Sequence, residues 1–371
     1  MKIVIDNSNL FAGGGLQVAV SFIRDLKKLN LSDEIHIIQS LNTARVLGDE
    51  IFPKNFKFYN LGRTEEVLLW KRIKNVKKIE REVCPDCIFT IFGPSYHKSE
   101  FPKVVGFAIP YIIYPNSPFF EKLSFFKRVY YKILSIIKTY SFKNHSDALI
   151  FETENARKTF TEKASCHNKS FTVGNTLNEI FFTPNNWLKF ENLPSSSCNI
   201  LFLTANYPHK NMMILPEVIH IMKNKFKMND FKFLITLNEE DLNFPEYLNK
   251  NIEYLGKVDL KEIPSLYMQS QMVFIPTLLE VFSATYLEAM FMQKPIVASD
   301  MDFSRDICGD SAYFCDPVNA YSYAKAIFDL SNEENLRTAL IKKGVKNLER
   351  YGSSMDRTKK YLEIISVMAK K

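Results

Sequence analysis

The chain has 371 residues, 46% of them hydrophobic, and its 48 basic and 41 acidic side chains give a formal net charge of +7. This length fits two or three globular domains, and the absence of any run of about 18 uncharged apolar residues excludes a membrane-spanning helix. Six cysteines without a secreted disulfide framework, and a strand that starts directly after Met1, predict a protein of the reducing cytoplasm without a signal peptide.

The N-terminal half alternates short apolar runs with amphipathic stretches, which is the pattern of a parallel sheet with crossover helices. Strands are predicted at 2–6, 34–39, 56–60, 88–92, 104–108, 148–151 and 170–173. After the first strand, a polar loop carries Gly13, Gly14 and Gly15, where no β-carbon keeps a ligand away from the backbone, and a helix follows at 17–29. The loop is not a dinucleotide fingerprint, because Val18 stands at the last glycine position of GxGxxG.

A helix with a basic outer face is predicted at 67–83, and Cys84-Pro85-Asp86-Cys87 follows it. A single CxxC lacks the further ligands that tetrahedral zinc requires, and this one leads into a strand rather than into the helix of a redox motif. We therefore interpret the cysteine pair as structural. His97, in the loop after the next strand, is either a residue that reaches a substrate or a surface histidine.

The segment 119–143 has apolar side chains at helical spacing and basic side chains over the rest of its surface. The apolar row consists of Phe119, Leu123, Phe126, Tyr130, Ile133, Ile137 and Tyr140. A basic, aromatic amphipathic helix suits the headgroup region of an anionic bilayer, and the basic stretch 71–81 also indicates an anionic surface. The alternative is a helix that buries this row in its own domain. No nucleic-acid partner is expected.

The first domain is predicted at 1–174 and the second at 175–352, with a linker at 174–186. The second domain repeats the alternation of strands and helices. Its strands are predicted at 199–204, 231–236, 252–254, 272–275 and 296–298. A last helix is predicted at 354–370.

The stretch 272–299 is predicted to form a strand, a loop, a helix that starts at Ala284 behind a Ser283 cap, and a second strand. Glu280 lies in the loop, whereas Glu288 lies just over one turn inside the helix, where its side chain leans back toward the N-terminus. The unpaired amides and the dipole of that helix end form a site for phosphate. A phosphate site between two carboxylates that bind hydroxyls suits a nucleotide-diphosphate sugar.

The pattern Glu280, seven residues and Glu288, followed by Ala289-Met290 and by Lys294-Pro295-Ile296-Val297-Ala298, resembles the donor motif of retaining GT-B glycosyltransferases of the GT4 type. The resemblance implies an α/β fold of the GT-B kind, with two Rossmann-like domains that face each other across a cleft. It implies that the domain at 1–174 lies on the acceptor side and that the domain at 175–352 binds the nucleotide sugar. It also implies that the C-terminal helix, at 353–371, packs back on the N-terminal domain.

The resemblance further implies roles for individual residues at the donor site. Glu280 would bind the hydroxyls of the donor sugar, and Glu288 would bind those of the ribose. The backbone near Phe282, Ser283 and Ala284 would hold the diphosphate. Ser283 stands where the family usually has glycine.

Lys210 matches a family lysine beside the diphosphate, but Ala205 occupies the position of the family's arginine. Our hypothesis is that His209 or Asn206 supplies the missing donor group. The turn at Val258 would read the nucleotide base through backbone groups.

In the first domain, Gly14 and Gly15 match the family's loop that lines the cleft between donor and acceptor. The family often has a histidine after the strand 104–108, where this chain has Ile109 or Pro110. His97 could enter the cleft in its place.

The resulting hypothesis is a metal-independent, retaining hexosyltransferase with Glu280 and Lys210 as its catalytic residues. It would move a sugar from a UDP- or GDP-linked donor to a saccharide acceptor, expected to be lipid-linked, in O-antigen or capsule synthesis, without a cofactor. It would be cytoplasmic or peripheral on the inner face of the cell membrane. Asp300-Met301-Asp302 imitates the metal motif of another glycosyltransferase fold, but we interpret it as a surface loop. The alternatives are a nucleotide-sugar epimerase of the same architecture and a binding protein with a degenerate cleft.

Overall fold

The computed structural model describes residues 1–191, 193 and 196–370. The chain divides into two compact units. The first unit consists of Met1–Ile113, Phe126–Asn175 and Gly352–Lys371, and the second consists of Tyr114–Phe125 and Thr176–Tyr351. We describe each unit by itself.

The segment 114–125 lies in the second unit, whereas the sequence had placed it inside the first domain. Its side chains explain the difference. The Tyr114 ring packs on Phe303, with ring centroids 5.9 Å apart, and the Ser117 hydroxyl donates a 2.6 Å hydrogen bond to the Leu278 carbonyl.

The first unit contains a seven-stranded parallel sheet in the order β3-β2-β1-β4-β5-β6-β7. Its strands are β1 Lys2–Asn7, β2 Glu34–Gln39, β3 Phe56–Asn60, β4 Cys87–Thr90, β5 Lys103–Phe107, β6 Ala148–Phe151 and β7 Lys169–Thr172. The central strands are continuous apolar runs because helices cover both faces of the sheet. On β1, Val4 packs against one helical layer and Ile3 and Ile5 against the other.

The helices of this unit begin and end as follows: α1 Gly13–Lys28, α2 Leu41–Leu47, α3 Arg63–Val67, α4 Leu69–Val83, α5 Pro110–Ile113, α6 Phe125–Asn144 and α7 Glu154–Ala164. Two predictions change here. Gly13, Gly14 and Gly15 form the first turn of α1 instead of a loop, and the single helix predicted at 67–83 is broken at Leu68, whose extended ψ of 99° separates α3 from α4.

The second unit contains a six-stranded parallel sheet in the order β10-β9-β8-β11-β12-β13. Its strands are β8 Asn199–Phe202, β9 Lys232–Ile235, β10 Ile252–Tyr254, β11 Met272–Ile275, β12 Ile296–Ser299 and β13 Ala312–Cys315. Its helices are α8 Leu215–Asn224, α9 Ile263–Met268, α10 Ala284–Phe291, α11 Asp302–Cys308, α12 Ala320–Asn332 and α13 Glu334–Leu348. A core of buried aliphatic and aromatic side chains lies between the sheet and the pair α8 and α12.

The last helix, α14 Ser354–Ala369, belongs to the first unit. Tyr361 packs edge-on against Phe22 of α1 at 5.5 Å between ring centroids. The Arg357 guanidinium donates to Ser21 Oγ at 2.8 Å and to Asn175 Oδ1 at 2.5 Å. The helix therefore contributes both apolar and polar contacts to the layer formed by α1.

The two cysteines of the CxxC pair occupy structural positions. Cys84 ends α4 in a left-handed conformation and its thiol donates to the Arg81 carbonyl, while Cys87 is buried in β4. In the part of the chain that the structure describes, no helix is both long and apolar enough to cross a membrane.

Both sheets share one topological feature that positions ligands. The strand order reverses at β1 and β4 in the first sheet and at β8 and β11 in the second. Loops that follow adjacent strands on either side of such a switch point diverge, and they leave a crevice at the carboxyl edge of the sheet. Each unit therefore offers one crevice, and the side chains that enter it decide what it binds.

Candidate active site

The crevice of the second sheet brings together the two residues predicted to be catalytic. Lys210 follows β8 and Glu280 follows β11, and Lys210 Nζ donates to Glu280 Oε1 at 2.9 Å. The two side chains are only 16% and 19% exposed, so the pair is partly shielded from water. Glu280 Oε2 is buried and has no hydrogen-bond partner among the described residues. A ligand hydroxyl that donates to this oxygen would complete its hydrogen bonding.

The N-terminus of α10 lies at the end of the same loop. Ser283 occupies the position before the helix with an extended backbone, but its hydroxyl accepts no capping hydrogen bond, so the prediction of a Ser283 cap is wrong. The first turn also contains no acidic residue. The amide N–H groups from Ala284 onward are therefore not bonded by a capping side chain. No acidic side chain offsets the positive end of the helix dipole.

Glu288 is buried inside α10 and depends on a partner that the sequence did not reveal. The Tyr267 hydroxyl, on α9, donates to Glu288 Oε2 at 2.8 Å. Burial raises the pKa of Glu288 to about 7, and the Tyr267 hydrogen bond acts in the opposite direction. The carboxyl group is thus held by the protein at one oxygen and titrates near neutral pH. No spacing rule connects Tyr267 with Glu288, so this pair has no signal in the sequence.

The loop after β8 does not supply a second cation. His209 stacks on Tyr207 with ring centroids 5.5 Å apart, and burial, followed by the charge of Lys210, lowers the pKa of His209 to about 4. The imidazole is therefore neutral at pH 7. Asn206 is exposed and donates to the Asp241 carbonyl at 3.2 Å. Of the two residues suggested to replace the missing arginine, neither carries its charge.

A second lysine near this loop comes from the segment 114–125. The Lys122 ammonium donates to Asn211 Oδ1, next to Lys210, and burial lowers the pKa of Lys122. Asn211 itself is buried, has a left-handed φ of 59° and donates to the Pro317 carbonyl at 3.1 Å. The sequence missed Lys122 because it was assigned to the helix predicted at 119–143, whereas Phe120–Lys122 is a 3₁₀ turn and α6 begins only at Phe125.

The remaining predicted residues of this unit lie at the same edge or close to it. Val258 follows β10 in a turn that needs Gly256 at a positive φ of 65°. The Phe282 ring packs near Tyr351 at 6.0 Å between centroids. Asp300 is the first residue of the metal-like triplet Asp300-Met301-Asp302, and it pairs with the guanidinium of Arg305 on α11.

In the first unit, Gly14 and Gly15 have different surroundings. A β-carbon on Gly14 would meet no atom within 4 Å, whereas one on Gly15 would come within 3.3 Å of the Leu10 side chain. Gly14 thus leaves the first turn of α1 open to a ligand, and Gly15 permits the helix to pack against Leu10.

His97 is held in a buried polar network, and the alternative of a surface histidine is wrong. It is buried, its Nε2 lies 2.9 Å from Glu80 Oε1 and 2.8 Å from Lys103 Nζ, and its Nδ1 donates to the Ser95 carbonyl at 3.0 Å. Glu80, on α4, and Lys103, on β5, are distant in sequence from each other. Only the folded sheet brings this buried charge network together.

Comparison with known proteins finds similarity in the second unit and in the fold. Residues 185–347 match the profile of the family described as glycosyl transferases group 1. The O-antigen chain mannosyltransferase RfbU of Salmonella typhimurium is 23% identical over 252 residues, which cover 60% of this chain and 60% of that protein. The chain therefore matches less than two thirds of that relative's length.

Solved structures share the fold over nearly the whole chain. Sucrose-phosphate synthase from Thermosynechococcus elongatus superposes with a TM-score of 0.73 at 13% identity, covering 98% of both chains. HepE from Anabaena, in complex with UDP and glucose, gives a TM-score of 0.69 at 13% identity, covering 99% of this chain and 100% of the other.

Two Rossmann-like parallel units of this kind define the GT-B fold, as the resemblance implied. The chain therefore has the GT-B fold, and residues 185–347 of its second unit are similar to the glycosyl transferases group 1 family.

Proposed function

We propose that the protein transfers a hexose from a UDP- or GDP-linked sugar to a lipid-linked saccharide in the synthesis of a bacterial surface polysaccharide, either O-antigen or capsule. The observation that carries the proposal is the Lys210–Glu280 pair beside the uncapped start of α10, at the switch point of the second sheet. The relative named as an O-antigen chain mannosyltransferase and the UDP complex of HepE support the same donor chemistry.

The charges of this site match those that develop during glycosyl transfer. The bond between the anomeric carbon and the phosphate oxygen breaks, and negative charge accumulates on the departing diphosphate. Lys210 and the first amides of α10 would meet this charge with dipoles that are already oriented, which is the largest single contribution in many enzymes. We therefore propose that neither a metal ion nor a cofactor is needed.

Glu280 would orient the donor sugar. Its Oε1 accepts from Lys210, so its unpaired Oε2 is the oxygen left for the sugar hydroxyls. Glu288 would accept the ribose hydroxyls, and the backbone at Val258 would contact the base. The acceptor oxygen would bond to the anomeric carbon on the face that the phosphate leaves, and its proton would pass to the departing phosphate. This order of steps retains the anomeric configuration.

We further propose that the protein is peripheral on the inner face of the cell membrane, with α6 as its contact. Ser141 and Phe142 are the only residues of α6 that are buried. Five of the seven residues in the apolar row identified from the sequence are exposed on α6, and Phe126 is 83% exposed, whereas Phe119 lies before α6 and is buried. Exposed apolar side chains of α6 are Phe125, Phe126, Val129, Tyr130, Ile133, Ile136, Ile137 and Tyr140.

Positive charge surrounds this exposed row. Lys127, Arg128 and Lys132 lie on the same helix and are largely exposed. Apolar side chains that enter the headgroup region, combined with cations that attract anionic lipids, are typical of helices that lie in the membrane interface. The alternative, in which the first unit buries the row, does not hold in this structure.

The test is turnover by the full-length protein with UDP- and GDP-hexoses, with and without a diphospholipid-linked saccharide acceptor. The proposal predicts nucleotide diphosphate release that depends on the acceptor, persists in EDTA and yields a product with the anomeric configuration of the donor. Conversion of the donor to its epimer without acceptor would instead show an epimerase. Binding of nucleotide sugars without any turnover would show a binding protein.

A further inference from the structure

The switch point of the first sheet carries a polar recess that the proposed donor site does not use. The recess lies where β1 and β4 diverge and has a volume of about 10 Å³. That is room for one water-sized group, such as a single phosphate oxygen. Its lining includes Asp6, Asn9, Arg72, Ser95 and Tyr96.

Arg72 is the cation of this recess and has no polar partner. Its guanidinium makes no hydrogen bond or ion pair with any residue that the structure describes, and it lies over the Phe11 ring at 5.8 Å from the ring centroid. Burial lowers the pKa of Arg72, so the group is partly removed from water. A guanidinium that is partly buried and has no carboxylate partner is the usual partner of a phosphate or carboxylate ligand.

An unpaired amide oxygen also lines the recess. Asn9 donates from Nδ2 to the Phe92 carbonyl at 2.6 Å, but its Oδ1 is buried and has no partner in the described chain. Buried polar atoms are nearly always paired in folded proteins, so this acceptor oxygen indicates that a water or a ligand hydroxyl completes the recess.

The carboxylates near Arg72 accept hydrogen bonds from other groups. Asp6 Oδ1 accepts from the Ser8 amide at 3.0 Å, and Oδ2 faces the Thr90 hydroxyl at 3.5 Å. Glu66 Oε1 accepts from the Leu41 amide at 2.6 Å. Both carboxylates influence Arg72 through space, but neither forms an ion pair with it.

The buried network around His97 fixes the opposite wall. His97, Glu80 and Lys103 hold the loop in place, and the Tyr96 amide donates to Ser141 Oγ at 3.1 Å. Tyr96 is thereby kept near Arg72, whose charge lowers the pKa of the Tyr96 phenol against the larger effect of burial. His97 is thus a positioning residue for this recess.

Exposed apolar side chains form two rims beside the recess. At the break between α3 and α4, Val67, Leu68, Leu69 and Trp70 are exposed, and Leu69 also lines the recess. On α6, Tyr130 lies close enough to Tyr96 to influence its pKa. The connections β3 to β4 and β5 to β6 run in the same direction across the sheet, so right-handed crossovers place α4 and α6 on one face.

We propose that this recess receives one oxygen of the phosphate or diphosphate of the acceptor lipid, with Arg72 as its cation and the apolar rims of α3–α4 and α6 along the lipid chain. The inference rests on the proposed function, because it assigns the acceptor of the same reaction. A cation at the base of an apolar entrance complements a ligand with an anionic head and an apolar tail. An anionic bilayer headgroup has the same chemistry, so the test must separate the two sources.

The test is calorimetric titration of the full-length protein with farnesyl diphosphate, with farnesol and inorganic pyrophosphate as partial ligands. We expect farnesyl diphosphate to bind more tightly than either part, and Arg72→Gln to weaken its binding by about tenfold or more, since charge-assisted pairs are the strong ones. The matched control is Arg81→Gln, on the same helix, whose exposed guanidinium pairs with Glu100. Arg81→Gln should leave binding unchanged, and both variants should bind UDP or GDP like the wild type.

Three outcomes would overturn the inference. Arg72→Gln could bind farnesyl diphosphate as tightly as the wild type, or farnesol could bind as tightly as its diphosphate. Alternatively, phosphatidylglycerol vesicles could displace farnesyl diphosphate fully and lose affinity for Arg72→Gln by the same factor, which would assign the recess to a headgroup. The proposed function fails separately, if the wild type transfers no sugar to any lipid-linked acceptor while farnesyl diphosphate binding still depends on Arg72.

Discussion

Each of the two units has a crevice at the edge of a parallel sheet, but the residues at the two crevices differ. In the second unit, the cation Lys210 is already paired with Glu280, and the free donors are the amides at the start of α10. In the first unit, the cation Arg72 is unpaired, and exposed apolar side chains lie beside it. We therefore propose a ligand that is polar along its whole length for one crevice and a ligand with an anionic head and an apolar tail for the other.

The difference extends to how buried charge is used. In the second unit, the Lys210–Glu280 pair is partly exposed and remains accessible to a ligand. In the first unit, Lys103 and Glu80 are almost fully buried with His97 and support a loop instead of contacting a ligand. Charged residues that look alike in the sequence thus remain accessible in one unit and support the architecture in the other.

The largest expected effect comes from a substitution that breaks the buried network of the first unit. Lys103→Met should destabilise that unit by about 3 to 5 kcal/mol, because removal of one partner leaves the buried Glu80 carboxylate without its cation. Hydrogen exchange in urea, which reports the two units separately, measures the loss. Lys98→Met, at an exposed lysine of the same region, is the control and should change little. A loss below about 1 kcal/mol for Lys103→Met would contradict the assignment.

The next effect concerns the ion pair of the second unit. Glu280→Ala and Lys210→Ala should each lower kcat by about 10²- to 10³-fold, the usual scale for removing one preoriented electrostatic group. Initial-rate measurements with saturating donor and acceptor test this, with Lys250→Ala as an exposed lysine control in the same unit. Near-normal turnover in both variants would remove this pair from the active site.

The third effect is the pH dependence that Glu288 gives to stability. Because burial raises the pKa of Glu288 from 4.5 to about 7, the native state binds the proton more tightly than the unfolded chain. The stabilisation is fully present below pH 4.5 and is lost as the pH rises through 7, by up to about 3 kcal/mol. Urea unfolding of wild type and Glu288→Gln across this range should show the decline in the wild type alone. Parallel pH profiles would mean that Glu288 is not the group responsible.

The smallest effect concerns the membrane contact of α6. Lys127→Gln and Lys132→Gln should each weaken binding to phosphatidylglycerol vesicles by about fivefold at low salt, because each removes one cation from the interface. Vesicle sedimentation measures the change, and Lys343→Gln on α13 serves as an exposed control. Equal binding by all variants, or binding that is insensitive to salt, would argue against electrostatic attachment through α6.

Much of the fold was predictable because strands buried on both faces are continuous apolar runs. The strands at 34–39, 56–60, 148–151, 252–254 and 272–275 have the predicted limits. Helix limits were less certain where local propensity opposes tertiary structure. The glycine triplet has low helix propensity, yet it forms the first turn of α1. The helices α2 and α11 were not predicted.

The candidate sites differ in predictability for a physical reason. Glu280, the start of α10 and Glu288 lie within one strand-loop-helix unit, so their spacing is visible in the sequence. The recess of the first unit combines Asn9, Arg72 and Tyr96 from three separate segments. Such a site has no spacing that a sequence displays, and this explains why Arg72 was overlooked.

The most direct test of the central claim is a crystal structure of the full-length protein with a bound UDP- or GDP-sugar. We predict that the diphosphate lies at the first amides of α10, within hydrogen-bond distance of Lys210, with a sugar hydroxyl on Glu280 Oε2. A diphosphate found instead at the glycine turn that begins α1, or at Arg72, would contradict the assignment of the donor to the second unit.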